Sequence, residues 1–414
     1  MFDYAKFQEE NYIRPIAVPE KKELYHDINE IADSIGGFIG DRHQVSYELV
    51  RESERLLVNA ISVFEKGYFD AAFYLLRESI EVGTTFIYLF DLPEERRAKE
   101  LAAWRSSVEH FPMKRQMQTE LDKFGEIYPN MKSCMPSFFG KLDATYKALN
   151  KYVHKQGFRY LYIARWRLGN KGGKADQTLL RNFIKLTRDC IGLVAGLRLM
   201  IDPMPILQGE DEIDYRLGDE IGEPYSPGFL KRYLEGGFLD EYKRTSMYKD
   251  FRDDILSRER MSDEVYEFVR EYHVGRSNID AILSQASLLS WHQLVILELI
   301  RRYSWIACVR MYRGLMTYFT DVRSNNTSPN FSSADFERIE KGERKANVPF
   351  RQAYLTLFKV GDDNFFLEHN EELDFVQLQD LGNAGAYMAR VLKARNEQLD
   401  EMLSKVSTNG AEDR

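Results

Sequence analysis

The sequence predicts an all-α protein made of two helical bundles, and three observations lead there. Apolar residues recur at helical spacing in long stretches on both sides of residues 206–228. Residues 208–228 carry seven carboxylates against one arginine, with prolines at 224 and 227, so residues 206–228 read as an acidic linker. A chain of 414 residues is also longer than one hydrophobic core usually serves, so two domains are expected. The organisation that follows is an N-terminal arm over 1–40, a bundle over 41–205, the linker, and a second helical domain over 229–414.

Residues 1–40 read as an irregular arm with a short helix near Leu24–Ile35. The run Gly36-Gly37-Phe38-Ile39-Gly40 lacks the Lys-Ser/Thr ending of a phosphate loop and reads as a turn. From Asp41 the pattern is helical: Val45, Leu49, Leu56, Leu57, Ala60 and Phe64 share a face, and Gly67 is a natural stop. The next helix, Tyr68 to Phe90, is apolar on most sides and belongs at the centre of a bundle. Its polar exceptions include Arg77 and Glu81, four apart and therefore neighbours on one face. They either pair structurally or line a cavity.

Two charged helices, near 94–109 and 114–125, lead to a helix over Ser137–Lys155 with Phe138, Leu142, Tyr146, Leu149 and Val153 as its apolar stripe. On another face Lys147, Asn150, Lys151 and His154 superpose, because spacings of three, four and seven coincide on a helix. Cations also suit a helix C-terminus on macrodipole grounds alone, so a capping role competes with a functional one. After Gly157 the alternation of Phe158, Tyr160, Tyr162, Ala164 and Trp166 with Arg159, Leu161, Ile163, Arg165 and Arg167 predicts a short extended or hairpin insertion near 158–168. Helix resumes from Asp176 to Ile201. In the second half a long helix is expected from Trp291 to about Asp321, with Ser333 capping a further helix and a last helix over 371–406.

Charge distribution points to a function. Residues 144–175 carry eight cations and no acid, whereas the chain as a whole carries −8. Clustered cations raise the local concentration of an anionic partner, and interleaved aromatic faces can stack on bases. Lys151, Lys155, Arg159, Arg165, Trp166, Arg167, Lys171 and Lys174 are the candidate nucleic-acid-binding residues. An acidic protein, or the chain's own acidic run, is the competing partner. Three scattered cysteines and no His/Cys ligand spacing predict reduced thiols, no metal and no cofactor in a cytoplasmic chain. The longest apolar run, near Cys190–Ile201, is interrupted by Arg198, so no membrane span is expected.

A long apolar helix bearing Arg77-x-x-x-Glu81, followed by a helix ending Leu149-Asn150-Lys151-Tyr152-Val153-His154, resembles the HEPN superfamily of helical bundles. The similarity is closest to bacterial members with a Tyr-Val-His sequence, and it covers at most residues 41–205. The resemblance implies a homodimeric bundle. In active members it further implies metal-independent RNA cleavage by a paired Arg and His, within bacterial stress or antiviral systems. Mapped onto this sequence, the catalytic set would be His154, Asn150, Lys147, Arg77 and Glu81. The family's Arg ahead of the His is absent, and Lys147 and Asn150 stand in that interval. Lysine supplies charge without arginine's bidentate fork, which favours a binder of RNA or nucleotide over a nuclease.

Overall fold

A computed structural model describes residues 1–11, 13–34, 41–106, 111–161, 173–217, 222–326, 331–342 and 353–409, with the side chains at 41, 42, 44, 159 and from 395 onward excepted. The chain divides into two compact units, Met1–Arg258 and Glu259–Arg414. The division therefore falls some thirty residues beyond the acidic run. That run is not a linker. Helix Met204–Leu207 (α10) leads into it and Asp211–Leu217 (α11) lies within it, and Ile213 and Tyr225 are buried in the first unit's core. Two of its carboxylates are used locally: Glu210 accepts from Lys243, Tyr248 and Arg252, and Glu212 accepts from Arg216. Composition marked a boundary where two apolar anchors set none.

The first unit is helical throughout its described residues. Its frame consists of α3 (Asp41–Glu65), α4 (Phe69–Asp91), α8 (Pro136–Val153) and α9 (Lys174–Arg198), all packed around α4. Leu49, Leu57, Ala60 and Phe64 of α3 are buried, as are Phe138, Leu142, Leu149 and Val153 of α8, so the helical stripes face the core as expected. The shorter helices α5 (Glu94–Ser106), α6 (Lys114–Phe124) and α7 (Ile127–Cys134) follow α4. Gly196 of α9 faces the Phe138 ring so closely that any Cβ there would overlap it. The arm adds α1 (Tyr4–Glu10) and α2 (Lys21–Asp33), and Leu24, Ile28 and Ile31 bury α2 in the same core. Phe158–Tyr160 form a 3-10 turn rather than the start of an extended segment, while residues 162–168 lie outside the described residues. The Gly36–Gly40 run lies outside them as well. The unit ends with α12 (Pro227–Tyr233), α13 (Phe238–Tyr242) and α14 (Ser246–Ser257).

The second unit corrects the all-α expectation, because it is built on a five-stranded sheet of order β1-β3-β2-β5-β4. The strands are β1 (His273–Val274), β2 (Ile306–Met311), β3 (Met316–Thr320), β4 (Tyr354–Val360) and β5 (Asp363–His369). Only the β1–β3 pair is parallel. The expected helix over 291–321 is α17 (Trp291–Arg302) followed by the β2–β3 hairpin. Every residue of β2 is buried, so the strand has no polar–apolar alternation to betray it. Val309, Met311, Phe358, Phe365 and Leu367 face a core shared with α15 (Asp263–Arg270), α16 (Ile279–Leu283), α17 and α19 (Phe375–Asn409). On the opposite face α18 (Ser333–Glu340) packs Phe336 and Ile339 against Leu355 and Phe366. Its cap is Ser332, one residue before the expected Ser333. No helix among the described residues is long and apolar enough to cross a membrane.

One buried cluster in the first unit yields a stability prediction. Glu54 is buried, and its Oε1 has no hydrogen-bond partner among the described residues. Burial, with Asp33 adding and Arg51 and Arg198 opposing, pushes its carboxyl from the ordinary 4.5 up to about 8. The folded state then holds a proton that the unfolded state releases, so stability is full below pH 4.5 and falls as pH climbs toward 8. The slope is about 1.4 kcal/mol per pH unit inside that window. Glu54→Gln is expected to raise unfolding free energy at neutral pH and to flatten that slope in urea denaturation. An unchanged slope would mean that the carboxyl is not protonated in the fold.

Candidate functional site

Helices α4 and α8 run antiparallel across the candidate site, since Tyr74 donates to the Val153 carbonyl at 3.1 Å while Arg77 reaches Tyr146 further back. Arg77 and Glu81, one helical turn apart, form an ion pair at 2.6 Å. Tyr146 completes it: its hydroxyl donates to the same Glu81 Oε1 and accepts from Arg77 Nε at 3.4 Å. Lys114, from the start of α6, is buried with its ammonium 4.2 Å from the centre of the Tyr146 ring. Burial lowers its pKa, opposed by Asp143 and Glu81. Burial, and next the neighbouring Glu81, raises the pKa of Glu78 on the same face. Lys114 could not be found from sequence because it comes from another helix, with no spacing that ties it to Arg77 or Tyr146.

This knot stands apart from His154. Tyr146 and His154 are eight positions apart, about 12 Å along a helix axis. Among the described residues no hydrogen bond or ion pair joins His154 to Arg77 or Glu81. The five residues of the sequence-derived catalytic set therefore divide into two groups. Arg77 and Glu81 are closed on each other and on Tyr146, while Lys147 and His154 are exposed toward the end of α8. Asn150 lies between them, half-buried, and its Oδ1 is buried without a donor among the described residues.

The end of α8 is a cationic surface. Lys147 and Lys151 are exposed and form no ion pair among the described residues, and Lys174 is exposed at the first position of α9. Lys155 instead bridges to Asp70 at the start of α4. The side chain of Arg159, and all of Arg165, Trp166, Arg167 and Lys171, lie outside the described residues. The interleaved aromatics are not uniformly available for stacking. Tyr152 stacks on Phe73 with ring centres 3.9 Å apart, and Tyr160 sits edge-on to Tyr152 at 4.9 Å. Phe158 is exposed.

One other cluster brings potential ligand atoms together. His26, Asp27 and Glu30 are close enough to share an ion. Asp27 already accepts from Arg232 and Tyr233, and Glu30 from Ser226, so these carboxylates are occupied in fastening α2 to α12. In the second unit, Arg276 donates to the carbonyls of Ile300, Tyr303 and Ile306 and closes the end of α17. Comparison with known proteins finds no matching family model, no matching curated protein and no matching solved structure.

If the Arg77–Glu81–Tyr146 knot is a structural tie, Arg77→Ala and Glu81→Ala should be strongly non-additive. The pair is under a quarter exposed, so a coupling of about 0.5–1.5 kcal/mol is expected from chemical denaturation of the two single variants and the double. Additive losses would show that the two side chains act separately.

Proposed function

We propose that the first unit is a HEPN-like binding module for RNA or a nucleotide, without nuclease activity, operating in the cytoplasm within a bacterial stress or antiviral system. The cellular setting and a homodimeric assembly enter from the resemblance alone. One observation carries the choice of binder over nuclease. The guanidinium that would have to act with His154 is engaged by Glu81 and Tyr146, and among the described residues no hydrogen bond joins it to His154. Metal-independent cleavage needs a general base and a charge-stabilising group converging on one phosphate. Binding needs only accessible charge, and Lys147 and Lys151 supply it beside the exposed His154.

The test uses short single-stranded RNA in chelator. Lys147→Ala together with Lys151→Ala should weaken binding and reduce the salt slope by about 0.7 for each phosphate that is no longer neutralised. His154→Ala should leave RNA intact, as the wild-type protein does, and change affinity little. RNA cutting that leaves 2′,3′-cyclic phosphate ends and drops at least ~100-fold in His154→Ala would assign the nuclease instead.

A further inference from the structure

The cavity at the junction of the arm, the α3–α4 turn and the end of α8 has a volume of about 500 Å³. That lies within the range of small-molecule sites. Its walls are mostly apolar and include Phe7 of α1 and Tyr68 and Phe69 at the turn, with Asn11, Asp70 and Lys155 as polar groups. Two features fix the arm there. The hydroxyls of Tyr4 and Tyr68 meet, and a Cβ on Gly67 would lie 2.7 Å from the Arg14 carbonyl oxygen, so only glycine lets the arm seat this closely. Gly67 is itself left-handed, at φ +87°.

Lys155 is in an unusual conformation for its residue type. The Gln156 N–H donates to the Lys151 carbonyl at 3.0 Å and the Lys155 N–H to that of Tyr152 at 3.4 Å, the paired bonds of a Schellman cap. Lys155 therefore occupies the left-handed position, at φ +51°, where glycine is the usual residue. Its ion pair with Asp70 does not account for this. The two side chains are 31% and 53% exposed, and exposed pairs contribute little. What the strained backbone does secure is a cation on the wall of the aromatic cavity. Lys151 and His154 stand within one turn of it, on the helix that leads into the basic stretch.

Resting on the RNA or nucleotide reading above, we infer that this cavity takes one unstacked nucleobase, with the attached phosphate on Lys155. Aromatic walls accept the face of any base. With Asp70 Oδ1 bonded to Lys155 and Asn11 Nδ2 donating to the Phe7 carbonyl, Asp70 Oδ2 and Asn11 Oδ1 are left as acceptors for its edge. A free nucleotide and a base within a strand share this chemistry, and the experiment separates them.

The full chain is titrated with fluorescein-labelled single-stranded RNA, with AMP, UMP and ribose 5-phosphate as competitors. AMP or UMP should displace the RNA better than ribose 5-phosphate does. A nucleotide affinity at or above that of the strand identifies a free nucleotide as the ligand, and a lower one identifies the strand. Phe7→Ala removes a residue from a helix with no buried side chain, so the fold should survive. It should weaken binding about tenfold without changing the salt slope. Lys155→Gly should weaken binding and lower the slope by about 0.7, with a melting temperature equal to or above that of the wild type. If both variants bind RNA like the wild type while the Lys147/Lys151 double variant does not, the cavity is not the base site and the RNA reading stands. If the wild-type chain binds neither RNA nor nucleotide, both fall.

Discussion

The first unit depends on one fully buried charge. Arg198, at the last position of α9, has no solvent exposure, and its guanidinium is held by Asp202 at 2.9 Å and by the carbonyls of Asp202 and Ser34. Tyr47 of α3 donates to the same Asp202 carboxylate, and the other carboxylate oxygen accepts from the Met204 N–H. The pair thereby ties the ends of α2 and α9, the middle of the bundle and the entry to α10 in one network. Removing one partner from such a pair leaves an uncompensated charge in an apolar core, a loss of several kcal/mol. Satisfaction is incomplete: among the described residues, Arg198 Nε and Glu54 Oε1 are buried without hydrogen-bond partners. A protonated Glu54 is the cheaper state in this setting, because burial penalises its carboxylate by more than Arg51 and Arg198 favour it.

Ionic groups thus do two different jobs in this bundle, and burial separates them. Arg198–Asp202 and Arg77–Glu81–Tyr146 are closed networks at helix contacts, where a missing partner is costly and a mobile one would be useless for chemistry. Lys147, Lys151 and Lys174 are open and solvated, so they keep their charge for an outside partner at small energetic cost. Asn150 is intermediate, on the same helix as Tyr146, Lys147 and Lys151 and with its oxygen still unpaired among the described residues. A nuclease needs the closed arginine and the open histidine at one phosphate. Here the arginine is held by Glu81 and Tyr146, and among the described residues no hydrogen bond joins it to the histidine.

How much of this was legible in the sequence follows from the range of the interactions. The helices α3, α4, α8 and α9 were readable because each buries one stripe and a 3.6-residue period records it. The Arg77–Glu81 pair was readable for the same reason, as a spacing of four. Its closure by Tyr146 and Lys114 was not, since those interactions link positions far apart in the chain. Composition misled in the acidic run, where Ile213 and Tyr225 outweigh seven carboxylates in deciding where the chain packs. The sheet of the second unit escaped because β2 is covered on both faces. Its hydrophobic run resembles a helix until the left-handed residues Tyr312, Arg313 and Gly314 turn it back.

The same limit explains why the left-handed cap at Lys155 is not legible beside Gly157. Sequence reasoning places a helix stop at the nearest glycine, because glycine adopts positive φ without strain. Here the cap closes two residues earlier, on a lysine, and Gly157 makes a separate turn at φ +110°. A left-handed lysine is a local conflict between residue and backbone that packing must over-determine in order to persist. The turn before it is the packed part: Phe73 and Tyr160 clamp Tyr152 between them. Helix propensity and burial leave that conflict unexplained. The left-handed cap and the aromatic cavity do meet at this one cation, since Lys155 is both the strained residue and part of the cavity wall.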